Sequence, residues 1–143
     1  MFKKYKPSRL KGRFEKNKYF EGWFQKIYSR NQNASFIIIY GYATGNSYNN
    51  FGFLQVLIPG KPAEIVYFSK DEIACDADKH VFQLGNNRFT FDLIQIQMKD
   101  LDIHLKLESK NTIQTFKNSM GYSYILPNLP CYHSVLNTSH FVS

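Results

Sequence analysis

Leu101-Asp102-Ile103-His104-Leu105-Lys106-Leu107-Glu108 sets an apolar residue at every second position and a polar one between. A side-chain period of two belongs to an extended chain with one face buried and the other in water. The leucines and the isoleucine therefore face a core, and His104 falls on the wet face as a surface residue. Just upstream, Ile94, Ile96 and Met98 share one parity, whereas Phe89, Phe91 and Leu93 share the other. Alternation cannot slip by one residue without an interruption, so a bulge or corner is expected at Asp92-Leu93. Before it, Gly85-Asn86-Asn87 supplies residues tolerant of positive φ and separates residues 80–84 from 88–91 as two arms of a hairpin.

The same grammar runs through the rest of the chain. Residues 36–42 are apolar at almost every position, which predicts a strand covered on both faces. A polar turn follows at Thr44-Gly45-Asn46-Ser47 and Asn49-Asn50, then strands at residues 51–58, ended by Pro59-Gly60, and at 63–68. Asp71-Glu72-Ile73-Ala74 suits one helical turn, and no long window carries a 3.6-residue period. Residues 131–136 read as a strand in mid-course and residues 140–143 as another beginning, which predicts a β domain cut short at its C-terminal side. The expected class is all-β and antiparallel, a barrel or a strongly curved sheet.

Composition supports a folded body with a charged head. The 143 residues are 43% hydrophobic and 17% aromatic, enough to bury a core. The net charge of +7 is uneven, since residues 1–30 hold 10 Lys+Arg against 2 acids and residues 31–143 hold 8 against 9. Residues 1–18 are therefore read as a basic arm and 19–143 as one β domain. No stretch approaches the roughly 18–20 apolar residues of a membrane span, and no apolar run follows Lys3, Lys4 and Lys6 as in a secretion signal. The expectation is a cytoplasmic protein, peripheral to membrane at most, with Cys75 and Cys131 as reduced, mostly buried thiols. The arm is either a solvated, solubilising segment or an electrostatic contact with an anionic membrane. No nucleic-acid motif accompanies it, so nucleic acid is not the expected partner.

Two clusters could carry chemistry. Tyr19-Phe20-Glu21-Gly22-Trp23-Phe24 holds the only Trp beside one acid. An acid among aromatics is desolvated, which raises a carboxyl pKa and makes a proton donor. The plain alternative is a plug at the end of a strand, with Glu21 paired to a lysine. Cys131-Tyr132-His133 offers acid, base and nucleophile side chains, but a Cys-x-His pair lacks two ligands of a zinc site, so no metal is expected.

Tyr19-Phe20-Glu21-Gly22-Trp23-Phe24, Leu84-Gly85-Asn86-Asn87-Arg88-Phe89, Met120-Gly121-Tyr122-Ser123-Tyr124 and Cys131-Tyr132-His133-Ser134-Val135 appear in the order in which similar motifs occur in the tocopherol cyclase family, which this chain resembles over nearly its whole length. The resemblance implies a lipocalin-like (calycin) barrel, of which this chain would be the N-terminal half of a double-barrel protein. It implies intramolecular cyclisation of a prenylated hydroquinone to a chromanol with no cofactor. A proton adds to a trisubstituted alkene, and the phenol oxygen of the same molecule captures the tertiary cation. It further implies Glu21, His133 and Tyr132 as catalytic residues, with Trp23, Phe24, Tyr40 and Tyr122 around the substrate and Arg88 as structural. Pro130 stands where the family carries an acid, and Tyr122 where it carries Trp. These departures keep a second reading open, a lipocalin-like binder of a prenyl lipid or another apolar ligand without turnover. A half-barrel is further expected to self-associate or to pair with a second half.

Overall fold

A computed structural model describes residues 18–29, 33–45, 50–90, 92–109 and 140–142. Within them the chain is all-β and antiparallel. One sheet joins β1 (Tyr19–Ser29), β2 (Ala34–Thr44), β3 (Phe51–Leu57) and β4 (Glu64–Ser69) as a four-stranded meander. A 3-10 turn at Lys70–Glu72 carries the chain to the second sheet. That sheet runs from β5 (Ile73–Asp76) through β6 (Val81–Leu84), β7 (Asn87–Phe89) and β8 (Leu93–Met98) to β9 (Leu101–Ser109), with β10 (His140–Val142) at its far edge. Neither sheet closes on itself among the described residues. β1 and β4 are edges of the first and β5 an edge of the second.

The core lies between the sheets, and the pleat explains its membership. Ile38, Tyr40, Tyr42 and Thr44 are the inward positions of β2, Leu54 and Val56 those of β3. Phe82 and Leu84 on β6, Phe89 on β7, and Ile94 and Ile96 on β8 meet them from the second sheet. The sheets are closely packed at Gly52, where an added Cβ would stand 2.4 Å from Leu84 Cδ2. A side chain there would have to displace the end of Leu84, so glycine suits the approach. On β9, Leu101, Ile103 and Leu105 are half-buried while Asp102, His104 and Lys106 are exposed, as the alternation requires.

Three local expectations change. The corner expected at Asp92-Leu93 is a full reversal, because β7 ends at Phe89 and β8 pairs back onto it with Phe89 opposite Ile94. Thr90 holds this turn: its N–H donates to Leu93 O at 2.8 Å and its Oγ accepts from Leu93 N–H at 2.9 Å. His80 precedes β6 in a turn with φ +55° rather than starting a strand. Ile37 and Ile39 on β2 are only half-buried, so the cover expected on both faces of that strand is present on one. The arm up to residue 17 and the strand expected at 131–136 lie outside the described residues.

Candidate functional site

β1 is an edge strand, and its pleat divides the Tyr19–Phe24 motif between two faces. Tyr19, Glu21, Trp23 and Gln25 are half-buried on the inward side, while Phe20, Phe24, Lys26 and Tyr28 are exposed on the other. In-register pairing sets Glu21 opposite Tyr42 and Trp23 opposite Tyr40. Gly22 faces Gly41, and a Cβ on Gly41 would stand 2.3 Å from Glu21 O. The paired glycines draw β1 onto β2 and so fix where Glu21 and Trp23 project.

Around them stands an aromatic wall. Trp23 stacks on Tyr40 with centroids 5.4 Å apart and leans on Phe82 at 5.2 Å. Tyr40 stacks on Phe89 at 3.8 Å, and Tyr42 lies 6.0 Å from both Tyr19 and Phe82. Tyr40, Tyr42, Phe82 and Phe89 are buried, so these rings fill the space between the sheets. Tyr19 and Trp23 are the half-buried margin of the wall.

Polar groups are few and engaged. The Tyr42 hydroxyl donates to Glu21 Oε2 at 3.0 Å. Gln25 Nε2 donates to the Tyr40 hydroxyl at 3.3 Å. Burial pushes the Tyr40 phenol well above the ordinary tyrosine range, and the smaller, opposing influence is the Gln25 bond. Across the seam, Cys75 on edge strand β5 is half-buried and its thiol is pushed up to about 11, by burial first and then by the negative charges of Glu21 and Asp76. Cys75 stands opposite Phe82, the ring on which Trp23 leans, so the thiol of β5 lies within electrostatic reach of the carboxylate of β1. The His80 imidazole is pushed down by partial burial.

The structure brings together three of the residues singled out from sequence: Glu21, Trp23 and Tyr40. Phe24 lies on the opposite face, 62% exposed. Tyr122, Tyr132 and His133 lie outside the described residues. Tyr42, Phe82 and Cys75 belong to the constellation with no site role in the sequence reading, and Tyr19 and Phe89 belong to it as motif residues to which that reading assigns no role. For Tyr42 the signal was present, since it shares the parity of Tyr40 on one strand. Phe82 and Phe89 reveal themselves only once the hairpin pairs them with each other.

A single carboxylate at the margin of a dry aromatic wall can pass one proton to or from an apolar molecule held at the seam, and ring faces can stabilise a nearby cation. Among the described residues, no group of three His, Cys, Asp or Glu gathers as metal ligands would. Arg88 is exposed on β7 beside the core residue Phe89. Comparison with known proteins gives no match to a family model, to a curated protein or to a solved structure.

Proposed function

We propose that this chain is a prenyl-lipid protein of tocopherol-cyclase type, working at the seam between β1 and β5. The observation that carries the proposal is Glu21 held by the Tyr42 hydroxyl at 3.0 Å beside the stacked rings of Trp23 and Tyr40. In this reading the acid form of Glu21 transfers its proton to the trisubstituted alkene of a prenylated hydroquinone. The alkene π pair forms the new C–H bond, and a tertiary cation results against the faces of Trp23 and Tyr19. The phenol oxygen of the same molecule closes the chromanol ring, and its proton returns to the Glu21 carboxylate. Substrate and product are isomers, so no oxidant or cofactor takes part. The open edges of β1 and β5 suit a lipocalin-like barrel completed by further strands, from elsewhere in the chain, from a second copy or from a separate second half.

A second reading is favoured by the filled core. Rings as close as Tyr40 and Phe89, 3.8 Å between centroids, leave an apolar ligand only the half-buried margin at Tyr19 and Trp23. A binder without turnover would suffice there.

The experiment separates the two. The purified chain is incubated with a phytyl hydroquinone, products are resolved by chromatography, and emission of Trp23, the only tryptophan, reports binding. Chromanol formation that falls on the order of 100-fold or more in Glu21→Gln supports the cyclase. Quenching of Trp23 with no product selects the binder. Neither product nor quenching overturns both.

A further inference from the structure

The face of the first sheet turned away from the core is apolar and carries no acid. Its outward positions include Phe20, Phe24 and Tyr28 on β1, Phe51 on β3, and Ile65 and Tyr67 on β4, all classed among the exposed large apolar residues. They form a band rather than isolated spots. Phe20 stacks on Phe53 at 5.7 Å over the Gly22–Gly41 pair, and Phe51 meets Tyr67 edge-on at 5.7 Å. Ile37 and Ile39 on β2 lie half-buried between them. An apolar band across four adjoining strands, with exposed rings on three of them, exceeds what a solvated sheet face presents.

The charge on the face itself has one sign, and the exposed acids nearest to it, Glu64 and Asp100, lie past its end beside Lys61. Of the ionisable acids and bases, the outward positions of β1 to β4 hold Lys26 and no Asp or Glu. At one end of the face, a groove of about 290 Å³ is lined by Ile37, Leu57, Ile58 and Pro59, with Lys26 and Lys61 also in its wall. Residues 1–18, which lead directly into β1, hold eight Lys+Arg against one acid. The occupant must therefore be broad, apolar and negatively charged. A second copy would bring an equally basic arm against this one. A nucleic acid would meet the cations and some rings but offers nothing apolar to Ile37, Leu57 and Ile65.

We propose that the outward face of β1 to β4 is a docking surface for an anionic lipid bilayer. Phe20, Phe24 and Ile65 reach the acyl boundary, Tyr28 and Tyr67 lie at the level of the headgroups, and Lys26 and Lys61 pair with lipid phosphates and carboxylates. This docking uses the face opposite Glu21 and does not rest on the cyclase reading.

The test is co-sedimentation of the full chain with vesicles of phosphatidylcholine, alone or mixed with phosphatidylserine. Binding is expected to the mixed vesicles, at least tenfold weaker to phosphatidylcholine alone, and weaker again as salt rises. Phe24→Ser with Tyr28→Ser removes two exposed rings and is expected to weaken binding about tenfold or more. The variant's circular dichroism spectrum and thermal midpoint are recorded alongside. Lys26→Glu with Lys61→Glu, also at exposed positions, is the second variant pair and is expected to weaken binding to the mixed vesicles only.

Four results overturn the proposal. They are no binding to mixed vesicles, binding unchanged in both folded variant pairs, a dimer in sedimentation velocity that Phe24→Ser with Tyr28→Ser dissociates, or displacement from vesicles by a single-stranded oligonucleotide.

Discussion

Asn87 shows how one side chain can hold a hairpin and a neighbouring strand together. It is almost wholly buried, its Nδ2 donates to Leu84 O at 2.8 Å, and its Oδ1 accepts from the Gln97 N–H at 2.8 Å. The motif residue reads from sequence as a turn former. Its second role, tying β8 to the hairpin, depends on a partner ten positions away and has no local signal. Asn87→Ala strands a carbonyl and an N–H, so it is expected to cost about 2–3 kcal/mol in urea unfolding, against well under 1 kcal/mol for exposed Asn86→Ala. Cys75 tests the candidate site at the same scale. A thiol pushed up to about 11 is mostly un-ionised at pH 8, so in a Cys131→Ser background it should react with a disulfide reagent on the order of 100-fold more slowly than a free thiol. Glu21→Gln removes one of the negative charges that raise it and should speed that reaction. An unchanged rate would mean that the charge of Glu21 does not reach Cys75.

At the scale of elements, glycine positions decide how strands approach. A Cβ on Gly41 would stand 2.3 Å from Glu21 O and 2.7 Å from Gly22 Cα, both backbone atoms that cannot swing aside. Gly41→Ala must therefore push β1 off β2. It is expected to destabilise the chain by about 2 kcal/mol or more in denaturant unfolding and to disturb the Trp23 emission spectrum. Gly60→Ala is the contrast, since nothing stands near its missing Cβ and only its φ of +78° opposes the change. That cost is expected near 1 kcal/mol. Strand legibility followed the same physics. β9 and the β6–β7 hairpin were readable because one face is apolar and the other polar, or because glycine marks the turn. β1 was legible only as a cluster of aromatics, since Tyr19, Phe20, Trp23 and Phe24 put rings on both faces and erase the period of two. The reversal after β7 looked like a bulge because its turn is closed by Thr90 and Asp92 side chains, with no glycine to announce it.

At the scale of the molecule, two sheets of the described residues are joined face to face by aromatic rings, and that arrangement couples stability to the ionisation of buried groups. The site was partly legible for the same reason. A sequence shows that Glu21 sits among aromatics, but which rings reach it depends on the pairing of β1 with β2 and on the packing of β6 and β7 beneath them. Tyr40 is 5% exposed, and its phenol is raised above the ordinary value of 10.0, chiefly by burial. Cys75 is raised from 9.0 to about 11 in the same sense. In the unfolded chain both groups release protons at lower pH than in the folded one. Their contribution to stability is therefore complete below about pH 9 and is lost progressively as pH rises above the unfolded values. The thermal midpoint should hold level from neutral pH to about pH 8 and then fall through the alkaline range. Tyr40→Phe keeps the stack on Phe89 and loses only a 3.3 Å hydrogen bond from Gln25. It is expected to cost about 1 kcal/mol or less at neutral pH and to flatten the alkaline decline. If the two profiles run parallel up to pH 11, the Tyr40 hydroxyl is not shut between the sheets and the ring wall beside Glu21 is open to water.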